Sequence, residues 1–433
     1  MKKLSICITL VLLMGLALSA CAPGSPTTSP QTSTAIDAGQ AAQELTPTPE
    51  AAPDVVGAGP TQIVVWHRWE GEYYKAIKEI FAEYAAQNNV QIELLLVQNV
   101  ADKAQLAVPS GQGPDIIAWV NDRLGDSALS KIIQPLNTYS IDESYLRANF
   151  ADVATDAMIY KGQVYGIPES LEAMTFIYNK ALITEEELPK TTDELLAKAA
   201  TYNQPPEKYL FVYNAKGDIY AAACWFQAMG VQLVKEDGTT DVGNEASVKA
   251  LELIKRFSEI MPAESDYGTA DALFKDGKAA IILNGPWAIA DYQAKGIDIG
   301  LTPVPIVSAS GKPGAPFVGV KLLMLAENAK NPEAAVELMK YYGSAEVQAK
   351  LAQINKQVPA NKTAQEMVKD DPIIAGFIAQ AANGRPMPSS EYIAAMWDPF
   401  NKMIEAVWTG AATPEQAAAD GAALFAQKVA DMQ

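Results

Sequence analysis

The sequence predicts an α/β protein with two domains, and three observations predict it. Residues 61–433, about 370 positions, form a stretch longer than one ordinary hydrophobic core supports. Apolar residues make up 49% of the chain and charged residues 19%, a balance that fills a globular interior and lies far from that of a disordered chain. Short apolar runs alternate with amphipathic stretches, which is the βα rhythm of a mostly parallel sheet.

The chain opens with Lys2 and Lys3, an apolar run over 4–18, and then Leu18-Ser19-Ala20-Cys21. The run is short for a bilayer span and is followed by Pro, Ser and Thr without a basic stop-transfer cluster, so residues 1–20 read as a secretory signal and not as part of the fold. Small residues directly before a cysteine resemble the bacterial lipobox, which implies that Cys21 becomes the lipidated first residue. Residues 22–60 hold no aromatic side chain and much Pro, Ser, Thr and Ala, and such a segment cannot bury a core. It reads as a disordered linker between the lipid and the folded part.

Beyond the linker, the runs 63–66, 92–97, 116–120 and 280–283 are expected strands. Tyr73, Ala76, Ile77, Ile80, Phe81 and Tyr84 fall at helical spacing, as do Val248, Leu251, Ile254 and Phe257, each set marking a core-facing stripe. Asn331-Pro332-Glu333 and Thr413-Pro414-Glu415-Gln416 place a capping residue before a proline at the first helical position. Residues 190–200, capped by Thr191 or Thr192, read as a solvated helix. Cys224, beside Trp225 and Phe226, reads as a buried and inert thiol.

The formal net charge is −18, and −20 once the leader with Lys2 and Lys3 is removed. An acidic chain of this kind does not suit nucleic acid or a polybasic membrane patch, so membrane attachment must come from the lipid. After cleavage the cysteines are Cys21 and Cys224, and with the first acylated no intramolecular disulfide forms. The one histidine, His67, excludes a zinc site of the usual kind. No P-loop, Gly-x-Gly-x-x-Gly or Gly-x-Ser-x-Gly pattern is present, so neither a cofactor nor nucleotide-driven work is expected. His67 closes a strand, and a satisfied or pocket-lining role suits it.

What the chain does carry is aromatic residues beside carboxylates and amides at the ends of expected strands: Trp66-His67-Arg68-Trp69-Glu70 and Trp119-Val120-Asn121-Asp122-Arg123. A pyranose offers an apolar face of C–H groups to an aromatic ring and an edge of hydroxyls to charged or amide partners. The pairing therefore points to sugar binding.

The run Gly113-Pro114-Asp115-Ile116-Ile117-Ala118-Trp119-Val120-Asn121-Asp122-Arg123-Leu124-Gly125 resembles the signature of maltose/maltodextrin-binding proteins of ABC importers. Tyr165-Gly166-Ile167-Pro168 with Glu172 and Ile177-Tyr178-Asn179-Lys180, then Asn284-Gly285-Pro286-Trp287, then Pro316-Phe317-Val318-Gly319-Val320, recur in that family's order. The resemblance spans 62–433. It implies a type II periplasmic-binding-protein-like fold, two α/β lobes joined by a hinge, with lobe 1 over 61–170 plus 323–366 and lobe 2 over 171–322 plus 367–433. It further implies a ligand site made of Trp119, Asp122 and Arg123 on the first lobe with Glu172 acting beside them, facing Asp218, Tyr220, Trp287, Met387 and Trp397 on the second. Glu70 takes the place of the family's aspartate, but no lysine follows it as in the family's Asp-Lys pair, which leaves Arg68 or Trp69 to supply that contact and leaves trehalose or another short α-glucoside open as the ligand.

The implied function is that of an extracytoplasmic lipoprotein, a monomer, that closes on an oligosaccharide and delivers it to the permease subunits of an ABC importer. The competing class is a hydrolase, because Glu70, Asp122 and Glu172 could form a pair of catalytic carboxylates. The expectation is that the chain is not an enzyme, since Arg123 beside Asp122 suits a permanently ionised acceptor better than a proton donor.

Overall fold

The computed structural model describes residues 52–432. Cys21, the leader and the linker up to residue 51 lie outside the described residues.

The βα rhythm resolves into two main sheets, beside two small two-stranded ones. In the first, the strands run in the order Asp54–Gly57, Val90–Leu96, Thr61–His67, Ile116–Val120, Phe317–Leu325, Ile167–Ala173 and Val358–Pro359, with Arg385–Pro386 added alongside Phe317–Leu325. The second holds Ile299–Thr302, Thr175–Asn179, Ala279–Asn284 and Tyr209–Tyr213, in that order. Helix Gly71–Asn88 covers the first sheet with the stripe read from the sequence, Tyr73, Ala76, Ile77, Ile80, Phe81 and Tyr84, joined by Ala85. In the second sheet Phe176, Phe211, Tyr213, Ile281 and Leu283 belong to one core, and Ile177, Val212 and Ile282 to the other. That alternation is the two-residue period of a strand buried on both faces.

Both proline-led helix starts are present: Asn331 precedes Pro332–Tyr342, and Thr413 caps Pro414–Ala430 by accepting from the Gln416 N–H at 3.3 Å. Thr191 caps Thr192–Tyr202, and Cys224 is buried within Ile219–Ala228.

Three expectations are corrected. The sheets are mixed and not mostly parallel: Thr61–His67 is parallel to both neighbours, whereas Phe317–Leu325 is antiparallel to both Ile116–Val120 and Ile167–Ala173. Apolar runs carry burial but no direction, and the chain steps from Ile167–Ala173 straight to Thr175–Asn179 through Met174, with no crossover helix. The linker expected over 21–60 gives way to strand Asp54–Gly57, which pairs antiparallel with Val90–Leu96 and is pinned where Asp54 accepts from Tyr74 Oη at 2.6 Å and Lys78 Nζ at 2.7 Å. The lobe boundaries expected at 170/171 and 322/323 cut through strands that lie whole in the first sheet. The crossings fall instead at Met174 and within 303–316, and helix Pro372–Ala381 packs on strands of both sheets.

Candidate binding site

The loop after Thr61–His67 and the end of Ile116–Val120 deliver the two aromatic–acidic segments to one place. A cavity of about 290 Å³ is lined by Arg68, Trp69, Glu70, Tyr73, Trp119 and Lys321, with the buried Glu169 among its walls. Glu70 occupies the N-cap position of Gly71–Asn88 without a side-chain capping bond, so the helix makes no demand on its carboxylate. Trp69 is wedged between His67, at 4.8 Å, and Tyr342, at 5.7 Å between ring centroids. His67 accepts from the Trp69 N–H through Nδ1 at 3.1 Å, and burial holds its acid form down to about 4 against the opposing pull of Asp54. The imidazole is therefore a neutral packing group at neutral pH.

At the end of Ile116–Val120, the Trp119 Nε1 and the Asp122 Oδ1 are both buried without a hydrogen bond of good geometry. Burial pushes the Asp122 carboxyl up to about 6, against the pull of Arg123 and of the nearby Trp119 indole N–H. Arg123 is held by two carboxylates. Its Nη1 donates to Asp102 at 2.7 Å and its Nε to Asp126 at 2.8 Å, an arrangement that fixes the segment and leaves Asp122 as the open acceptor. The neighbouring motif residues serve the fold. Asp115 accepts from the N–H groups of Val64 and Lys330, and Asn121 accepts from Val320 N–H while donating to the Met387 carbonyl.

Glu172 pairs with Lys321, Nζ to Oε1 at 2.7 Å. Between Ile167–Ala173 and Phe317–Leu325 the register slips: Pro168 lies opposite Leu322 and Ser170 opposite Lys321, leaving Glu169 as the extra residue of a bulge. Its oxygens accept from Tyr73 Oη at 2.5 Å and Tyr342 Oη at 2.9 Å, and Gln357 donates to the Tyr73 oxygen at 2.6 Å. Lys321, Glu169 and Tyr73 line the cavity without having been singled out as site residues in the sequence. The one available signal was a single lysine inside an otherwise apolar strand.

On the second lobe the Tyr220 ring lies 6.4 Å from Trp287 and 6.3 Å from Phe317. Trp287, just past strand Ala279–Asn284, is 44% exposed, unusual for an indole with no surface partner to cover it. Trp397 opens helix Trp397–Trp408 and packs, half-buried, on the same core as Tyr220, and Met387 is buried in that core. Asp218 has a different task from the one expected: Oδ1 accepts from the N–H groups of Tyr220, at 2.9 Å, and Ala221, and Oδ2 accepts from Asn214. It caps Ile219–Ala228 and so places Tyr220.

One strand joins the two sets. Phe317, Gly319 and Lys321 alternate onto one face of Phe317–Leu325, and Glu172 lies opposite Gly319. At ~3.3 Å per residue, the aromatic group around Phe317 and the ammonium of Lys321 are separated by about 13 Å of strand, with a side-chain-free glycine between them. A larger cavity of about 880 Å³ lies where residues 156–161, 232–237 and 385–391 meet, but Met387 is the one expected ligand residue among its walls. The smaller cavity carries the chemistry. Among the described residues no acid, histidine and cysteine cluster suited to a metal occurs, and no helix is long and apolar enough to cross a membrane.

Similarities to known proteins follow this geometry. The chain is 30% identical to a maltotriose-binding protein of Pyrococcus abyssi over 81% of its own length and 78% of the relative's. It is 26% identical to a maltooligosaccharide ABC transporter solute-binding lipoprotein of Streptococcus pneumoniae, over 83% of this chain and 87% of that one. A crystal structure of a cyclo/maltodextrin-binding protein complexed with maltotetraose superposes with a TM-score of 0.80 at 33% identity, covering 87% of this chain and 99% of that one. The two lobes are thus those of the periplasmic-binding-protein fold. With residues 79–376 matching its model, this chain belongs to the bacterial extracellular solute-binding protein family.

Proposed function

We propose that this chain is the substrate-binding lipoprotein of a carbohydrate ABC importer, holding a maltooligosaccharide or a related α-glucoside between its lobes and passing it to the permease. The observation that carries this reading is the buried pair Trp119 Nε1 and Asp122 Oδ1, close enough for the indole N–H to act on the carboxyl but without a hydrogen bond of good geometry, at the end of a strand that also walls the cavity. A buried donor and acceptor so placed each carry a desolvation cost that a ligand hydroxyl would relieve, since a hydroxyl both accepts and donates. Rings of Trp119, Tyr220, Trp287 and Trp397 supply the faces on which pyranose C–H groups pack. Glu70, Asp122 and Glu172 supply acceptors, and Asp218 acts through Tyr220. The relatives' described ligands, maltotriose and maltotetraose, set the expected chain length.

Lipidation at Cys21, with the chain a monomer at the extracytoplasmic face of the cell membrane, is the matching expectation for localisation. The pneumococcal relative is described as a lipoprotein of an ABC transporter. A tether of this kind raises the local concentration of the binding protein at the permease.

Calorimetric titration with maltose, maltotriose, trehalose and a galactooligosaccharide tests the reading. Saturable heat with an α-glucoside is expected, and its absence with all four sugars would sink the proposal. A second reading, hydrolysis, has one observation in its favour: an Asp122 carboxyl raised to about 6 is placed to give up a proton near neutral pH. Reducing ends accumulating above background from maltotriose would establish it in place of binding. Incorporation of labelled palmitate by the full chain, lost in Cys21→Ala, tests the anchor.

A further inference from the structure

The strongest unassigned group in the molecule is a lysine inside a sheet. Lys321 sits in the interior of Phe317–Leu325, with strands hydrogen-bonded on both sides, and its side chain is 29% exposed. Burying an ammonium is costly unless it is paired and its donors are satisfied. An ammonium has three donors. Glu172 is the single ion-pair partner of Lys321 among the described residues, and the side chain lines the cavity that also holds Glu70 and Trp119.

A second carboxylate lies beneath it. Glu169 is 2% exposed and arrives there by way of the bulge, with both oxygens taken by Tyr73 and Tyr342. These two hydroxyls hold it too firmly for it to turn toward a ligand; burial pushes its carboxyl up, and Lys321 with the two hydroxyls pulls against that, which couples it to the ammonium. Desolvation pulls the lysine's acid constant down, and the fields of Glu172 and Glu169 outweigh it, so the ammonium stays charged.

We propose that Lys321 is a specificity-determining residue of the first lobe: its ammonium, paired with Glu172, donates to a hydroxyl of the bound pyranose, while the tyrosine-held carboxylate of Glu169 positions it. The inference rests on the sugar-binding reading given above and deepens it. Lys321 and Glu172 form a donor–acceptor pair matched to two adjacent hydroxyls of one ring, and the bare backbone at Gly319 leaves the floor beside them open toward Phe317, Tyr220 and Trp287. A neutral sugar with a vicinal diol fits this pair, and a deoxy sugar lacking one of those hydroxyls does not.

The test is titration of maltotriose into the full protein and into Lys321→Met, which keeps the length of the stem and removes the charge. Loss of one charge-assisted hydrogen bond should weaken binding about ten- to a hundredfold. Because a lone methionine leaves Glu172 and Glu169 facing each other, Lys321→Met/Glu172→Gln is measured beside it, with thermal melts as the folding control. Glu169→Gln should weaken binding in the wild-type background and add nothing in the Lys321→Met background, a non-additivity that a merely structural role would not produce. Maltotriose affinity within about twofold of wild type in a folded Lys321→Met protein overturns the inference and leaves the sugar-binding reading standing. Absence of maltotriose binding by the wild type overturns both.

Discussion

Asp122 ties a titration to ligand binding with a definite sign. Its folded value of about 6 lies above the ordinary 3.8 of an aspartate, so the proton is held into a range where an exposed aspartate is already ionised. The carboxylate that would accept from a sugar hydroxyl is therefore lost as pH falls through about 6, and affinity should drop by about tenfold per pH unit below that point. The stability of the empty protein runs the other way: the contribution of Asp122 is present at low pH and lost as pH rises through about 6. Titrations across that range should show the slope, and Asp122→Asn should flatten it; a flat wild-type profile would remove Asp122 from the site. Trp287, 44% exposed beside Tyr220, is the second-lobe ring proposed to face Asp122. Trp287→Ala should weaken maltotriose binding by about 1–3 kcal/mol and cost the fold less than truncating a core indole would, because 44% of the residue is exposed. At this scale the sequence was readable where chemistry is local: Trp119, Asp122 and Glu70 stand in contiguous aromatic–acidic segments. Lys321 was not, because a lysine among valines and leucines reads as the wet face of a strand, and only its neighbours across the sheet place it in a cavity. The capping role of Asp218 was not legible for the related reason that an acid before a helix looks the same whether it caps that helix or meets a ligand.

Asn121 shows how elements are fastened around the site. Fully buried, it accepts from Val320 N–H at 3.0 Å and donates to the Met387 carbonyl at 2.9 Å, so one side chain ties the end of Ile116–Val120 to Phe317–Leu325 and to the segment carrying Met387. Asn121→Ala removes both bonds and leaves a buried donor and acceptor unpaired, which should cost roughly 2–4 kcal/mol of stability by urea denaturation. Less than about 1 kcal/mol would mean that water takes over those bonds. Gly125 serves the same contact, since a Cβ there would lie 2.1 Å from the Ser389 carbonyl oxygen. Helices and their caps were legible in the sequence because Pro at the first position and Ser, Thr or Asn before it act through the backbone within a single turn. Strand direction, the bulge at Glu169 and the short strand Asp54–Gly57 were not. Each depends on a partner far along the chain, as with Asp54 opposite Leu94, and four residues bounded by Pro and Gly carry too little periodicity to stand out.

The whole chain is acidic, with a net charge of −18, while the ligand proposed for it is neutral. Affinity for maltotriose should therefore change by less than about twofold between ~0.05 M and ~0.5 M salt, because screening acts between charges and not on ring stacking or on hydrogen bonds inside a cleft. Closure is the larger question, and the connections constrain it. At Met174 a single residue separates a strand of one sheet from a strand of the other, and helix Pro372–Ala381 packs on both. Links that short resist sliding and leave rotation about the crossings as the accessible motion. A sugar favours the rotated state only to the extent that it contacts that state better, so lobe 1 groups such as Asp122 and Lys321 can hold it without closing anything, and the second-lobe rings must supply the bias. Small-angle scattering separates the two contributions. Saturating maltotriose should lower the radius of gyration of the wild type, whereas Trp287→Ala, saturated with the same sugar, should compact less. Identical scattering from the empty and the saturated wild-type protein would mean that the ligand is held by one lobe alone.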